Sequence, residues 1–96
     1  MLLGIWLTVT APGVASDREL CAEDVLKREF GPFAGTFDRG VFVDLAGWFE
    51  LSMAERREWA HRMGVCLFQR RPMLVVDKHS ERILGRWSVE NGLEGP

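Results

Sequence analysis

The sequence predicts an α+β fold, in which a small three-stranded sheet packs against one or two helices. Three observations lead to this prediction. A helix with a clear start is expected from Met53 to about Phe68, a β-branched apolar run occupies Met73–Asp77, and apolar residues alternate with others over Val41–Leu45. With a further helix over Ser16–Phe30 and a strand over Arg82–Ser88, the elements follow the order α-β-α-β-β in a small single domain.

The helix that begins at Met53 has the strongest local signals. Ser52 precedes it and Glu55 follows at the spacing of a capping box, in which each side chain bonds the backbone amide of the other residue. Arg56 interrupts the apolar stripe near its start, where a long side chain can lay its stem on the core and keep its charge in water. Along the rest of the helix, apolar residues recur with a helical period, at Trp59, Ala60, Met63 and Leu67.

The two later strands are predicted to form a hairpin. Met73–Asp77 is bounded by Pro72 and by a polar, turn-like segment, and Arg82–Ser88 follows directly. Gly85, inside the second strand, is expected to mark a bulge. In the first strand, Phe42 faces away from its apolar neighbours, so it either meets a second layer or is exposed to a partner.

The remaining segments set the domain boundaries. The helix over Ser16–Phe30 ends at Gly31-Pro32, and residues 33–40 are expected to be a linker because glycines lie within this segment and Gly31-Pro32 directly precedes it. The domain therefore covers residues 16–88, and residues 89–96 are expected to form a flexible tail.

Residues 1–15 fit two interpretations. Leu2–Val9 is an apolar run followed by Pro12-Gly13 and by the small residues up to Ala15, a pattern typical of a signal peptide, although no basic residue precedes it. Alternating apolar residues in the same run also fit a fourth, N-terminal strand. We favour the signal peptide, which predicts a periplasmic or secreted protein; a retained strand predicts a cytoplasmic one. The run is too short for a permanent membrane span.

The composition is that of a globular protein without a dedicated nucleic-acid partner. The 96 residues are 47% hydrophobic and 27% charged, and the formal net charge is -2. The charges are unevenly distributed, because residues 16–51 carry eight acids and four bases whereas residues 52–88 carry four acids and eight bases. This asymmetry leaves open a basic surface that meets an acidic partner.

The two cysteines, Cys21 and Cys66, lie one on each predicted helix. In an oxidising compartment they would form a disulfide, whereas in the cytosol they would be two buried apolar residues. The sequence favours the disulfide if residues 1–15 are a signal peptide. A reactive or metal-bound thiol is the least favoured interpretation, because no Cys-x-x-Cys spacing occurs.

No catalytic, cofactor-binding or metal-binding site is predicted. The sequence contains no phosphate-binding loop, dinucleotide fingerprint, zinc-protease motif or nucleophile elbow. His61, His79 and Asp77 are residue types that bind metals, but their spacing is not that of a metal site, and surface histidines are the preferred interpretation.

Aromatic and arginine residues are the candidates for contact with a partner protein, since tryptophan and arginine are enriched at interface hot spots. The candidates are Phe42, Trp48, Arg56, Arg57, Arg86 and Trp87. Core packing is the competing interpretation for the aromatic side chains.

We therefore expect a small non-enzymatic domain that binds another protein and is exported. The alternative is a cytoplasmic regulatory or accessory domain that uses its basic C-terminal half against an acidic partner. An enzyme is the least favoured class, because its site would have to be assembled from residues such as Cys66, His61, His79 or Asp77 without a recognisable motif. The sequence does not identify the partner or the oligomeric state.

Overall fold

A computed structural model describes residues 20–26 and 31–95 of the chain. Within these residues, five strands form one mixed sheet: β1 Phe33–Phe37, β2 Gly40–Val43, β3 Met73–Asp77, β4 Ile83–Ser88 and β5 Gly92–Glu94. The helical segments are α1 Glu23–Leu26, α2 Leu45–Glu50 and α3 Met53–Cys66. The α+β class is confirmed, but the sheet has five strands where the sequence predicted three or four. The expectations for residues 1–15 fall outside the described residues.

Strands that are consecutive in the chain are neighbours in the sheet, and β2 with β3 is its parallel pair. A parallel pair needs a long crossover, because the chain must return to the same end of the sheet, and α2 and α3 supply it. At the start of β2 the backbone of Gly40 lies so close to β3 that a β-carbon would overlap the carbonyl oxygen of Leu74. The missing side chain therefore permits this pairing.

The first strand, β1, occupies residues that the sequence assigned to a linker. It pairs antiparallel with β2, with Phe33 opposite Val43 and Phe37 opposite Gly40. The register shifts between Phe33 and Gly35, where the glycine has a φ of 149° that residues with side chains rarely adopt. Gly35 therefore belongs to a bulge within a strand. In the sequence, the same glycine suggested a linker.

The last strand, β5, lies in residues 89–96, where a flexible tail was expected. It pairs antiparallel with β4, and its Leu93 packs against the hydrophobic core opposite Trp87. The turn between the two strands is held by Ser88, whose hydroxyl accepts a hydrogen bond of 3.1 Å from the Asn91 amide. The burial of Leu93 gives this end of the chain a fixed place in the sheet.

The predicted hairpin is confirmed, since β3 pairs antiparallel with β4. Val75 lies opposite Gly85 and Val76 lies opposite Ile83, so that Leu84 is the extra residue of a bulge next to Gly85. The sequence had placed the bulge at this point of the strand.

The predicted start of α3 is also confirmed. The Ser52 hydroxyl accepts from the Glu55 amide at 3.1 Å, and the Glu55 carboxylate accepts from the Ser52 amide at 2.7 Å. The Ser52 amide and hydroxyl hold the pKa of the Glu55 carboxyl below its usual value. At the other end the helix stops at Cys66, earlier than the predicted Phe68, and Gln69 and Arg70 adopt left-handed backbone conformations.

The first predicted helix is interrupted. Part of the range 16–30 lies outside the described residues, and within residues 20–26 the chain forms a turn at Cys21 before α1 begins at Glu23. Val25 is fully buried and belongs to the main core, which brings this short segment against α3.

The helix α3 covers one face of the sheet and forms the core with it. The buried side chains of this core include Val41, Val43, Trp48, Trp59, Met63, Phe68, Met73, Val75 and Trp87. Residues that alternate with them point to the opposite side, which we call the outer face; it carries Phe37, Phe42, Leu74 and Val76.

One contact brings the helix very close to the sheet. The ring of Trp87 lies on Gly64 of α3, so that a β-carbon at residue 64 would lie 2.6 Å from Cη2 and would overlap Cε3 and Cζ3. Glycine inside a helix costs about 1 kcal/mol relative to alanine. The close approach of the buried Trp87 ring offsets that cost.

Cys21 and Cys66 are joined by a disulfide, with their α-carbons 5.4 Å apart. Both residues are half-buried and pack against the core. The bridge therefore ties the segment before α1 to the last residue of α3.

Replacement of Gly64 by alanine should destabilise the domain by about 1–3 kcal/mol, because the new methyl group overpacks the contact with Trp87. Helix propensity alone predicts the opposite change in stability, because alanine is more favourable than glycine inside a helix. Urea unfolding followed by tryptophan fluorescence measures the change. Gly95→Ala is the matched control, since no atom lies within 4 Å of its added β-carbon. A Gly64→Ala variant as stable as the parent would show that the helix does not lie this close to Trp87.

Reduction of the disulfide should lower the free energy of unfolding by about 2–4 kcal/mol, because the reduced chain gains conformational entropy when unfolded. Intact mass after alkylation, with and without reductant, reports whether the bond is present. The Cys21→Ala/Cys66→Ala variant is the control, and its unfolding midpoint should not respond to reductant. Two alkylated thiols in unreduced protein from an oxidising compartment would contradict the bridge.

Candidate functional site

The six residues predicted to contact a partner do not form one surface. Trp48 and Trp87 are buried, with 3% and 1% of their surface exposed, so neither side chain projects from the domain. Arg56 is half-buried beside Trp48, and Arg57 is exposed on α3. Phe42 and Arg86 lie on the outer face of the sheet, with Phe42 in contact with Phe37 at a centroid distance of 4.8 Å.

A groove lies between the two helices of the crossover and the start of β4, with a volume of about 650 Å³. Its principal side chains are Leu45, Phe49, Met53, Arg56, Arg82 and Ile83, and Trp48 forms part of its floor. Among the described residues, five large hydrophobic side chains are exposed, and four of them line this groove. Phe49 and Met53 are the most exposed, at 59% and 50%.

The position of α2 explains why these side chains are exposed. Asp44 caps the helix by accepting from the Gly47 amide at 3.0 Å, and the chain then turns at Leu51 into α3. Trp48 faces inward and meets Trp59 edge to face, at a centroid distance of 5.7 Å. Since Trp48 takes the inner side of such a short helix, Phe49 lies on its outer side.

Arg56 connects the wall of the groove to its floor. Its Nε donates to the carbonyl oxygen of Trp48 at 3.0 Å, and this carbonyl at the end of α2 also accepts from the Leu51 amide at 3.2 Å. The guanidinium lies over the rings of Phe49 and Trp48, 5.0 and 5.6 Å from their centroids. A cation in this position is attracted to the ring faces, so Arg56 orients Phe49 while its charge stays at the groove. From the sequence alone, Arg56 was identified as an interruption of the apolar stripe, but its contact with the rings of Phe49 and Trp48 was not predicted.

The opposite wall is formed by the turn between β3 and β4. The buried carboxylate of Asp77 accepts from the Ser80 hydroxyl at 2.7 Å and from the His79 amide at 3.0 Å. These hydrogen bonds, with that of Ser80 the stronger influence, hold the pKa of the Asp77 carboxyl below its usual value although burial opposes them. The turn is therefore held in place by its own side chains, and Arg82 and Ile83 follow it at fixed positions.

A second, smaller depression of about 370 Å³ lies on the other side of Ile83, toward the outer face. Leu74 supplies its apolar part, and Arg39 and Arg86 supply its charges. Ile83 lines both depressions, so the apolar surface continues from the groove to the outer face.

Most of the groove was not predicted from the sequence. From the sequence, Leu45 was placed in the first strand, Phe49 between that strand and the next helix, and Ile83 in the last strand. One local signal was available for two of these residues, because Leu45 and Phe49 are spaced at i and i+4 and lie in the same short helix. The contribution of Ile83 and Arg82 comes from a distant part of the chain and has no local signal.

In the described part of the chain, no three histidine, cysteine, aspartate or glutamate side chains come together as a metal site. His61 is exposed and touches the Trp87 ring edge to face, and His79 is exposed in the β3–β4 turn. In residues 20–26 and 31–95, no helix is long and apolar enough to cross a membrane.

Comparisons of the chain with models of protein families, with curated proteins and with solved structures gave no match. Function is therefore inferred from the geometry and chemistry of the groove.

The Asp77 carboxyl should make stability depend on acid pH. Its pKa is lower in the folded than in the unfolded protein, so its contribution is present above about pH 4 and is lost as the pH falls through the lowered value. Urea unfolding midpoints measured from neutral to strongly acid pH should fall for the parent and fall less for Asp77→Asn. Glu55→Gln is measured in parallel, because the Glu55 carboxyl of the helix cap also has a lowered pKa and contributes to the same pH dependence of stability. Identical pH profiles for parent and Asp77→Asn would contradict this role.

Proposed function

We propose that this protein is a small non-enzymatic binding domain, and that its groove takes up an apolar segment of another protein. The observation that carries the proposal is the convergence of Leu45, Phe49, Met53 and Ile83 on one cavity of about 650 Å³. Exposed apolar side chains scattered singly are ordinary, whereas a contiguous group of them typically marks an interaction site.

The composition of the groove favours tight local contact. Trp48 and Phe49, with Arg56 stacked on them, are the residue types that dominate interface energetics. Trp48 is held by Trp59 and Arg56 by its bond to the Trp48 carbonyl, so the floor is ordered before a partner arrives. A site ordered in advance loses less conformational entropy on binding.

The proposal places the domain in a periplasmic or secreted setting. Support comes from the Cys21–Cys66 disulfide, since such bonds persist in oxidising compartments and are rare in the cytosol. The cytoplasmic alternative requires two free thiols at these positions, and the alkylation measurement distinguishes the two settings.

The test is a selection of short random peptides, displayed on phage, against the immobilised protein. Peptides enriched on the parent should carry bulky apolar residues and should bind Phe49→Ser/Met53→Ser more than about tenfold less tightly, since the variant loses two apolar contacts worth at least 1.4 kcal/mol together. Titration of a synthetic enriched peptide, followed by fluorescence anisotropy, gives the dissociation constants.

Val89→Ser is the matched control, because Val89 is 48% exposed and lies outside the groove. Its affinity for the peptide should equal that of the parent. Unfolding midpoints of all three proteins establish that each is folded. Equal binding by parent and Phe49→Ser/Met53→Ser, or a selection that enriches no peptide, would contradict the proposed function.

A further inference from the structure

We infer that the segment bound by the groove is acidic, and that it continues from the groove over Ile83 to the depression between Arg39 and Arg86. This inference rests on the proposed function and names the chemistry of the partner: a protein segment with bulky apolar residues and nearby carboxylates. Three observations support it. The arginines along this path pair with no carboxylate of the described residues, and the carboxylate of the adjacent Asp77 is hydrogen-bonded within its own turn. The apolar surface is also continuous from one depression to the other at Ile83.

Four arginines flank the two depressions and none of them pairs with a carboxylate of the described residues. They are Arg56 and Arg82 at the groove and Arg39 and Arg86 at the second depression. Arg56 uses its Nε for the Trp48 carbonyl and places Nη1 3.2 Å from the Met53 sulfur, contacts that leave its positive charge uncompensated. Arg39, Arg82 and Arg86 are all exposed.

The carboxylates in the neighbourhood do not neutralise this charge. Asp77 lines the groove, but its two oxygens accept from His79 and Ser80. Glu94 lies opposite Arg86 in the β4–β5 register without coming within ion-pair distance. Lys78, the remaining base of the turn, is paired with Asp44 at 3.8 Å. A ligand that brings its own carboxylates would therefore find available partners in Arg82 and Arg86.

The bulge in β4 places the two arginines on opposite sides of one apolar ridge. Ile83 faces the outer side opposite Val76 and lines both depressions, whereas Arg82 precedes it at the groove and Arg86 follows the bulge on the outer face. An extended segment that fills the groove can cross Ile83 and meet positive charge on both sides. Successive side chains of such a segment point alternately toward and away from the surface, which allows apolar and acidic residues to share the contact.

Electrostatic attraction of this kind contributes more to specificity and association rate than to affinity. Each exposed arginine–carboxylate pair contributes little, but several acting on one ligand make binding selective for acidic sequences and sensitive to salt. The apolar groove supplies the contact and the arginines decide which apolar segments are accepted.

The experiment repeats the peptide selection with three baits: the parent, Arg82→Glu/Arg86→Glu and Arg57→Glu. Peptides from the parent should be enriched in aspartate and glutamate beside their apolar residues. The double variant should lose this enrichment and bind a synthetic parent-selected peptide about tenfold or more less tightly, with a weaker dependence on salt. Arg57→Glu is the control, because Arg57 is exposed on α3 outside both depressions and carries the same kind of charge change.

The milder variant Arg82→Gln/Arg86→Gln should show the same direction of change, and unfolding midpoints show that each bait is folded. Enriched peptides without an acidic bias, or an unchanged affinity in the double variant, would overturn the inference while leaving the proposed groove function intact. Failure to enrich any peptide would overturn both. Binding to phosphatidylglycerol vesicles that depends on Arg82 and Arg86, with no acidic peptide enriched, would assign the surface to a membrane and overturn the inference as well.

Discussion

The contact between Trp87 and Gly64 fixes the separation and orientation of the two layers of this domain. A ring that lies directly on the backbone of α3 determines both how close the helix lies to β4 and which side of the helix faces it. The contact persists although Trp87 Nε1 is buried with no hydrogen-bond partner among the described residues, a cost of about 1–3 kcal/mol. Because the groove has the helices on one wall and the start of β4 on the other, its width depends on this contact.

The groove is open because of the local geometry of α2 and not because the core is loosely packed. Trp48 fills the inner side of a six-residue helix, which leaves Phe49 on the outer side, and Arg56 then holds both rings through its stacked guanidinium. The turn on the other wall is equally fixed, since Asp77 bonds two groups of its own loop. The exposed apolar residues of the groove therefore lie on elements held in fixed positions, and this preorganisation supports the proposed binding function.

The parts of the fold that the sequence predicted are those with local causes. The Ser52–Glu55 capping box, the β-branched run of β3 and the bulge beside Gly85 each depend on residues close together in the chain. The strands β1 and β5 were missed because they are short and contain glycine, and their stability comes from pairing with strands that are already in place. The groove was missed for a similar reason: Phe49 and Ile83 meet only when β4 lies beside α2. Residue type identified Arg56 and Arg86 as surface residues, but it could not distinguish the buried Trp48 and Trp87 from exposed tryptophans.

The disulfide and the groove lie at opposite ends of α3. Met53, the first residue of the helix, lines the groove, and Cys66, its last residue, is bonded to Cys21. A helix of 14 residues is about 21 Å long, which separates the bridge from the groove. The bridge therefore acts on the stability of the domain, through the entropy of the unfolded chain and the anchoring of Val25 against α3. In the proposed function, the arginines beside the groove act on binding, since they pair with no carboxylate of the described residues. The bridge and the Met53 side of the groove thus lie at separate ends of one helix, so a substitution at one is expected to have no direct effect on the other.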